Sequence, residues 1–397
     1  MPCQPIARWL RLLLLLPLPA LGCAAREVAP QSTALKASAP AVAGVRLTPV
    51  VGGLEHPWGL AWLPDGALLI TERPGRLRIV RAGRLDPTPI AGVPPVLAVG
   101  QGGLLDVALD PDFEQNRLLY LSYAAGTIEA NGTRVARARF EGKALLDLKV
   151  IAAVPQSKAG SQHFGSRLLW LPDRSLLVSI GDGGNPPVQL DGQLIRLQAQ
   201  NRSSALGKLL RITADGAPAP GNPFPAAPGV AARVWSYGHR NVQGLSHDPV
   251  GGRVWASEHG SLGGDELNLV EAGRNYGWPL VTHSREYSGE PIAPAQSAAG
   301  LVDPRRVWTP AIAPSGLAFY SGERYPGWRG HLFAGGLVSR DVRRISLDAA
   351  GAVLGEQVIP VGERVRDVRQ GPDGWLYVLT DSASNGQVLR IEPIADP

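Results

Sequence analysis

Cysteine is almost missing from this 397-residue chain: there are two, Cys3 and Cys23, both near the N-terminus. No internal disulfide framework is therefore available to the rest of the chain, and no His/Cys cluster offers zinc or haem ligation. A strong charge of one sign is also lacking. The formal charge is +5, and setting aside Arg8 and Arg11 of the N-terminal leader lowers it to +3. With no basic run and no basic–aromatic interleaving, a nucleic-acid surface is excluded. The apolar run WLRLLLLLPLPALG is too short to span a membrane permanently. What the chain has in excess is turn-formers, 48 Gly and 36 Pro. They predict many tight reversals and hence many short strands rather than long helices. An apolar share of 44% over this length can bury one large core or two medium ones.

Residues 1–23 read as a processing signal, with Arg8 and Arg11 flanking the start of the apolar run. The run ends at ALGCAAR, which resembles a bacterial lipoprotein signal with Cys23 as the lipid-carrying residue. Ala20 stands where a leucine is usual, and cleavage near Ala24 or Ala25 would release a soluble protein instead. The expected location is periplasmic or extracytoplasmic, with membrane attachment only through a lipid on Cys23; stable anchoring needs more than one acyl chain. Residues 24–45, rich in Ala, Ser, Pro and Gln, read as a flexible tether, and residues 46–397 as the folded domain.

Within that domain one pattern returns six times. PWGLAWLPDGALLITER (57–73), GGLLDVALDPDFEQNRLLYLSYA (102–124), SRLLWLPDRSLLVSIGD (166–182) and VQGLSHDPVGGRVWASEH (242–259) are followed by a looser copy at 315–337 and by VRDVRQGPDGWLYVLTD (365–381). Each unit is an apolar strand, a Pro/Asp/Gly turn and a second strand alternating with period two, as a half-buried sheet requires. Six such echoes predict an all-β fold, a six-bladed β-propeller with inserted loops forming a pocket on one face.

The repeat register carries a functional inference. His56, Gln101, His163, Asn241 and Arg364 each lie eight to ten residues before the turn proline of their unit. Equivalent positions in a propeller share one radius and one face, so these side chains are expected around one mouth of the central channel. A lone histidine is more often a satisfied structural residue, but His163 shares its register with Gln101, Arg240, Asn241, Arg364 and Arg366. A neutral imidazole in that setting suits a general base. The three arginines together describe a receptor for an anionic ligand, most plausibly carboxylates. The stretch EHGSLGGDELNLVEAGRNYGWP (258–279) puts Asp265 and Glu266 in a glycine-studded loop, a composition that suits Ca²⁺ without the spacing of an EF-hand. Gly181-Asp182-Gly183-Gly184 reads as the end of a blade strand, and Asp110, Asp112 and Asn116 as a blade turn.

These motifs, with HPWGLAWLPDG, QGGLLDVALDPDF, HFGSRL and SYGHRNVQGL, make the chain similar to the soluble pyrroloquinoline quinone (PQQ)-dependent aldose sugar dehydrogenases of the glucose/sorbosone dehydrogenase family, over residues 50–393 or so. The resemblance implies oxidation of an aldose at C1 to the lactone. His163 takes the proton of the anomeric hydroxyl while hydride passes to the C5 carbonyl of PQQ, and an external acceptor removes the electrons. It further implies that Gln101, Arg240, Asn241, His259, Tyr287, Arg364 and Arg366 hold PQQ. Main-chain oxygens of Gly260 and Ser261 would bind a Ca²⁺ that polarises it, and Glu266 with the Tyr276 carbonyl would hold a second Ca²⁺. The pattern departs from the family at Val338, where a lysine is common and Arg340 lies two residues on, and at Ser261, where proline is common.

Two other readings compete. A metal-dependent lactonase on a similar propeller would want Glu, Asn and Asp ligands on the channel axis, where Gln, His and Arg are expected. A non-catalytic binding propeller would have been favoured by loss of His163 or the arginines.

Overall fold

A computed structural model describes residues 44–184 and 188–394; the leader and nearly all of the tether lie outside them. Six four-stranded antiparallel sheets account for the six sequence repeats. Their innermost strands are Pro57–Trp62, Leu104–Leu109, Leu168–Trp170, Val242–Asp248, Pro314–Phe319 and Val365–Gln370. Each packs on the next, and the sixth on the first, closing a ring. The fold is the expected six-bladed propeller. The last blade is completed from the other end of the chain: Val45–Leu54 pairs with Gly386–Pro393, Val45 opposite Pro393 and Leu54 opposite Gly386. Among the described residues no helix is long and apolar enough to cross a membrane.

The second strands depart from the half-buried alternation expected of them. Leu68–Glu72, Leu176–Ile180, Leu332–Gly336 and Leu376–Thr380 are buried at every residue. The reason is geometric: a blade is flanked by two others, so both of its faces must be covered, and such strands read as continuous runs. LLITE, LLVSI and LYVLT are runs of that kind.

The inner strands share a device that sets up the site. In five of the six, the register against the second strand slips near the start: between Pro57 and Leu60, Leu104 and Val107, Val242 and Gly244, Pro314 and Leu317, and Val365 and Asp367. A bulge there re-aims side chains at the end of the strand. At it, and at the matching place in blade three, the six blades carry Gly59, Asp106, Arg167, Gly244, Gly316 and Asp367, and the charges among them neutralise one another. Arg167 Nη1 donates to Asp367 Oδ2 (3.0 Å) and Asp106 Oδ1 (3.4 Å), and Arg369 joins both carboxylates. The Arg167 guanidinium also lies 4.2 Å from the centre of the Trp58 ring. Gly59 and Gly316 leave room for it, since a Cβ on either would collide with Asp106 or Asp367 respectively.

Candidate active site

Four residues at the bulges, Trp58, Leu105, Gln243 and Arg366, line a cavity of about 370 Å³. The expected convergence of the loop residues is largely met. Gln101 and Arg364 line the same cavity; His163 is buried next to Phe164 and Gly165, which also line it. Asn241 is buried, with Oδ1 accepting from the Gly165 N–H (3.1 Å). His56 sits one step back, its Nδ1 2.8 Å from Asp381 Oδ1.

His163 is held from three sides. Its backbone has φ +53°, in the left-handed region. The Gln101 carboxamide oxygen accepts its N–H at 2.9 Å, and Gly181 makes space, because a Cβ there would strike the His163 carbonyl. Its Nδ1 lies 2.6 Å from Asp182 Oδ1, and the other Asp182 oxygen accepts from Trp278 Nε1 at 2.8 Å. Nε2 is left with no hydrogen-bond partner among the described residues. Burial, then Arg240, pushes the imidazole below its ordinary value against the pull of Asp182. Burial alone would raise Asp182, but His163 and Arg240 outweigh it and hold the carboxyl below its ordinary range. Lys158, whose ammonium lies 4.1 Å from the Phe164 ring centre, is brought down to about 8 by burial, opposed by Asp182. The result is a neutral imidazole whose Nδ1–H is tied to a carboxylate and whose Nε2 is available as a base.

Across the cavity is a cationic wall. Arg366 Nη2 donates to Asp381 Oδ2 (2.9 Å), while Arg364 stands 4.0 Å from the same oxygen and donates to the Leu337 carbonyl (3.2 Å). Burial would raise Asp381, but Arg366, His56 and Arg73 overcome it and hold this carboxyl far below its ordinary range. Arg240 makes no ion pair among the described residues; its Nη1 donates to the His259 carbonyl (3.2 Å). Burial, then Arg240 and Arg366, drives the His259 imidazole down to about 3. Arg240 Nε, Asn241 Nδ2, His259 Nε2 and Arg366 Nε are buried with no protein partner. Such groups are costly unless something other than the described residues satisfies them. His259 and Arg366 line the main cavity, whereas Arg240 lines, with His259, a small hollow beside Glu266.

The start of the loop 258–279 is fixed by Asp265. Asp265 accepts the Gly260 N–H (2.7 Å) with one oxygen and the Ala313 N–H (2.7 Å) with the other. The Ser261 N–H goes to Ser284 Oγ (2.7 Å), and the Ser261 hydroxyl has no partner. Glu266 and Glu258 face a separate hollow of about 10 Å³, also lined by Gly260 and Tyr276. Burial and then Glu258 push the Glu266 carboxyl up to about 8. Two crowded carboxyls at a space for one small ion are a donor set that a hard cation fits. No group of three or more His, Cys, Asp or Glu side chains converges among the described residues, so backbone oxygens would have to complete any cation site.

Some expectations are not brought together. Tyr287 is 64% exposed and lines neither cavity. Its neighbour Glu286 is instead tied to Arg196 (2.6 Å), holding that excursion against the insertion between the second and third strands of blade three. Neither Val338, 60% exposed, nor Arg340 lines the cavity, which Leu337 reaches. The axis does hold two aspartates, Asp106 and Asp367, but both are engaged by Arg167 and Arg369, so neither is available as the metal ligand a lactonase would want.

Asp182, Asp381, Trp278 and Trp58 were not picked out from sequence. A signal existed for the acids, since one closes or just follows the second strand in blades one, three, four and six: Glu72, Asp182, Glu258 and Asp381. Each receives a cationic or imidazole partner: Arg76, His163, His239 and Arg366 respectively. The Gly181-Asp182 pair read as a strand end is also the seat of His163.

Comparison with known proteins identifies the family. The family model described as Glucose / Sorbosone dehydrogenase matches residues 54–390. An uncharacterized protein of Synechocystis is 60% identical over 88% of this chain and 86% of its own. The aldose sugar dehydrogenase YliI of Escherichia coli is 41% identical over 86% of this chain and 91% of its own. The PQQ-bound aldose sugar dehydrogenase of Streptomyces coelicolor superposes with a TM-score of 0.71 at 32% identity, covering 89% of this chain and all of that one. With the matched model spanning nearly the whole propeller, the chain belongs to the glucose/sorbosone dehydrogenase family.

Proposed function

We propose that this protein oxidises aldose sugars at C1 to the lactone with PQQ and Ca²⁺, passing the electrons to an external acceptor. The observation that carries the reading is His163: a buried, neutral imidazole tied to Asp182, beside a cavity walled by Arg364 and Arg366, the latter with its Nε unpartnered among the described residues. A tricarboxylate quinone fits such a wall. Arg364, Arg366, Arg240 and Asn241 would hold it, with Gln101 and His259 at its edge. The carbonyls of Gly260 and Ser261 would face one Ca²⁺, while Glu266 with the Tyr276 carbonyl would hold a second in the small hollow. When bound, PQQ supplies a two-electron acceptor, and Ca²⁺ supplies Lewis acidity.

The protein's own part is proton management. Asp182 keeps the proton of His163 on Nδ1, so Nε2 is the atom that accepts the proton of the anomeric hydroxyl. The positive charge that develops on the ring is met by the Asp182 carboxylate 2.6 Å away. Asp182→Asn keeps the shape but lets the amide donate to Nδ1, stabilising the tautomer in which Nε2 carries the hydrogen. The kcat is expected to fall by about 10²–10⁴ with KM little changed, by analogy with triads in which the orienting acid is neutralised. Steady-state kinetics that show a loss smaller than threefold would remove Asp182 from this role.

Reconstitution tests the reading as a whole. Purified apo-protein is expected to oxidise glucose or another aldose with an artificial dye only after PQQ and Ca²⁺ are added, and chelation before PQQ addition is expected to block recovery. Calorimetry showing no PQQ uptake by the Ca²⁺-loaded protein would overturn it. PQQ uptake without turnover on a broad aldose panel would leave a binding propeller.

A further inference from the structure

Arg73 lines the cavity from blade one, yet no carboxylate comes within ion-pair distance of it among the described residues. It directly follows the strand Leu68–Glu72, and its backbone is pinned on both sides. Its N–H donates to the His56 carbonyl (3.0 Å), and its carbonyl accepts from the Leu104 N–H (3.1 Å) at the start of blade two. The side chain is thus presented by rigid scaffold rather than by a loose loop. One of its terminal nitrogens donates to the Gly100 carbonyl, and Nε is buried with no partner among the described residues.

The surrounding charges make this position costly. Arg364 and Arg366 are its cationic neighbours, and Asp381 is the anion they share, already engaged by Arg366 and His56. Burial, then Arg366, moves the Arg73 guanidinium below its ordinary value, with Asp381 pulling the other way. Three other buried or nearly buried arginines each have a counter-ion. Arg78 has Glu72, Arg167 has Asp367 and Arg343 has Asp341. A partly buried guanidinium without a counter-ion, set among like charges, is a binding group waiting for an anion.

We infer that Arg73 is a ligand-binding residue that contacts a carboxylate of the anionic cofactor, extending the cationic wall of blade six across to blade one. The inference rests on the PQQ reading above. The competing role is mechanical: through the Gly100 carbonyl, Arg73 could merely anchor the loop that carries Gln101.

The two roles separate in binding and stability. Arg73→Met is titrated with PQQ in CaCl₂ by calorimetry at low and high ionic strength, and its apo melting temperature is compared with that of the unaltered protein. A carboxylate contact gives a Kd raised about tenfold or more, as loss of a charge-assisted hydrogen bond does. It also gives a weaker dependence of Kd on salt and an apo melting temperature unchanged or higher, because like charges are relieved. Arg73→Lys is expected to recover part of the affinity and the salt dependence, and serves if the methionine variant does not fold. A lowered melting temperature with Kd within twofold of the unaltered protein and the same salt dependence would establish the anchor instead. Equal PQQ binding by both proteins overturns Arg73 alone; no PQQ binding by the unaltered protein overturns Arg73 and the cofactor reading together.

Discussion

His163→Gln is expected to lower kcat by about 10²–10⁴, the usual contribution of a positioned general base, while PQQ and Ca²⁺ still bind. Glutamine fills much of the same space and can keep a hydrogen bond to Asp182, so the loss reports on the Nε2 proton acceptor rather than on a collapsed site. The pH profile should agree. His163 titrates below 6.5 in the folded protein, so the imidazole stays competent through neutrality and the rate declines only on the acid side. The same depressed value has a stability consequence. The unfolded chain binds this proton at a higher pH than the folded one, so the contribution of His163 is complete above pH 6.5 and is lost as the pH falls through its folded value. A variant with kcat within a few-fold of the unaltered enzyme, or an unaltered enzyme whose acid limb lies above pH 7, would remove His163 as the base.

The largest effect on stability is expected at the axis. Asp367→Ala leaves Arg167 and Arg369 to share the single carboxylate of Asp106, with Arg167 and Asp106 fully buried and Arg369 only partly exposed. Breaking a buried charge arrangement by deleting one partner costs about 3–5 kcal/mol, which for a domain this large is a fall in Tm of roughly 4–7 °C. Asp112→Ala is the matched control. It removes the ion pair with Arg174, where both side chains are more than half exposed, and no measurable change in Tm is expected. Thermal melts in which the two variants behave alike would show that the axial network is replaceable. Losing Asp367 also lets Arg167 shift against Trp58, which lines the cavity, so a weaker response to PQQ should accompany the lower Tm.

Blade number was legible because PDG-type turns punctuate every blade and the inner strands are short enough to echo one another. The mouth residues were legible from register alone for Gln101, His163 and Arg364, since a rotationally repeated fold turns equal spacing into equal position. Ion partners were harder. Asp381 meets Arg366 within its own blade, but across a hairpin whose bulge shifts the count, and Asp182 meets His163 in the loop ahead of its inner strand rather than at a paired position. Arg73 meets its charged neighbours only where blade one touches blade six. Tyr287 failed for the opposite reason: it belongs to a long excursion outside the repeat, where spacing carries no positional information and the Arg196–Glu286 pair decides the course of the chain.

The ring is circular in space but linear along the polypeptide, and the cationic wall straddles the join. Arg73 and His56 come from the beginning of the domain; Arg364, Arg366 and Asp381 come from its end. The clasp that holds them together is the pairing of Val45–Leu54 with Gly386–Pro393, reinforced by Arg46 donating to Glu392 (2.9 Å). The chamber therefore does not exist in a nascent chain until the final strand has been made, and contacts of such sequence separation form late. An anion gripped from both sides would act as a second clasp, so that loading the protein and locking the hoop become one event.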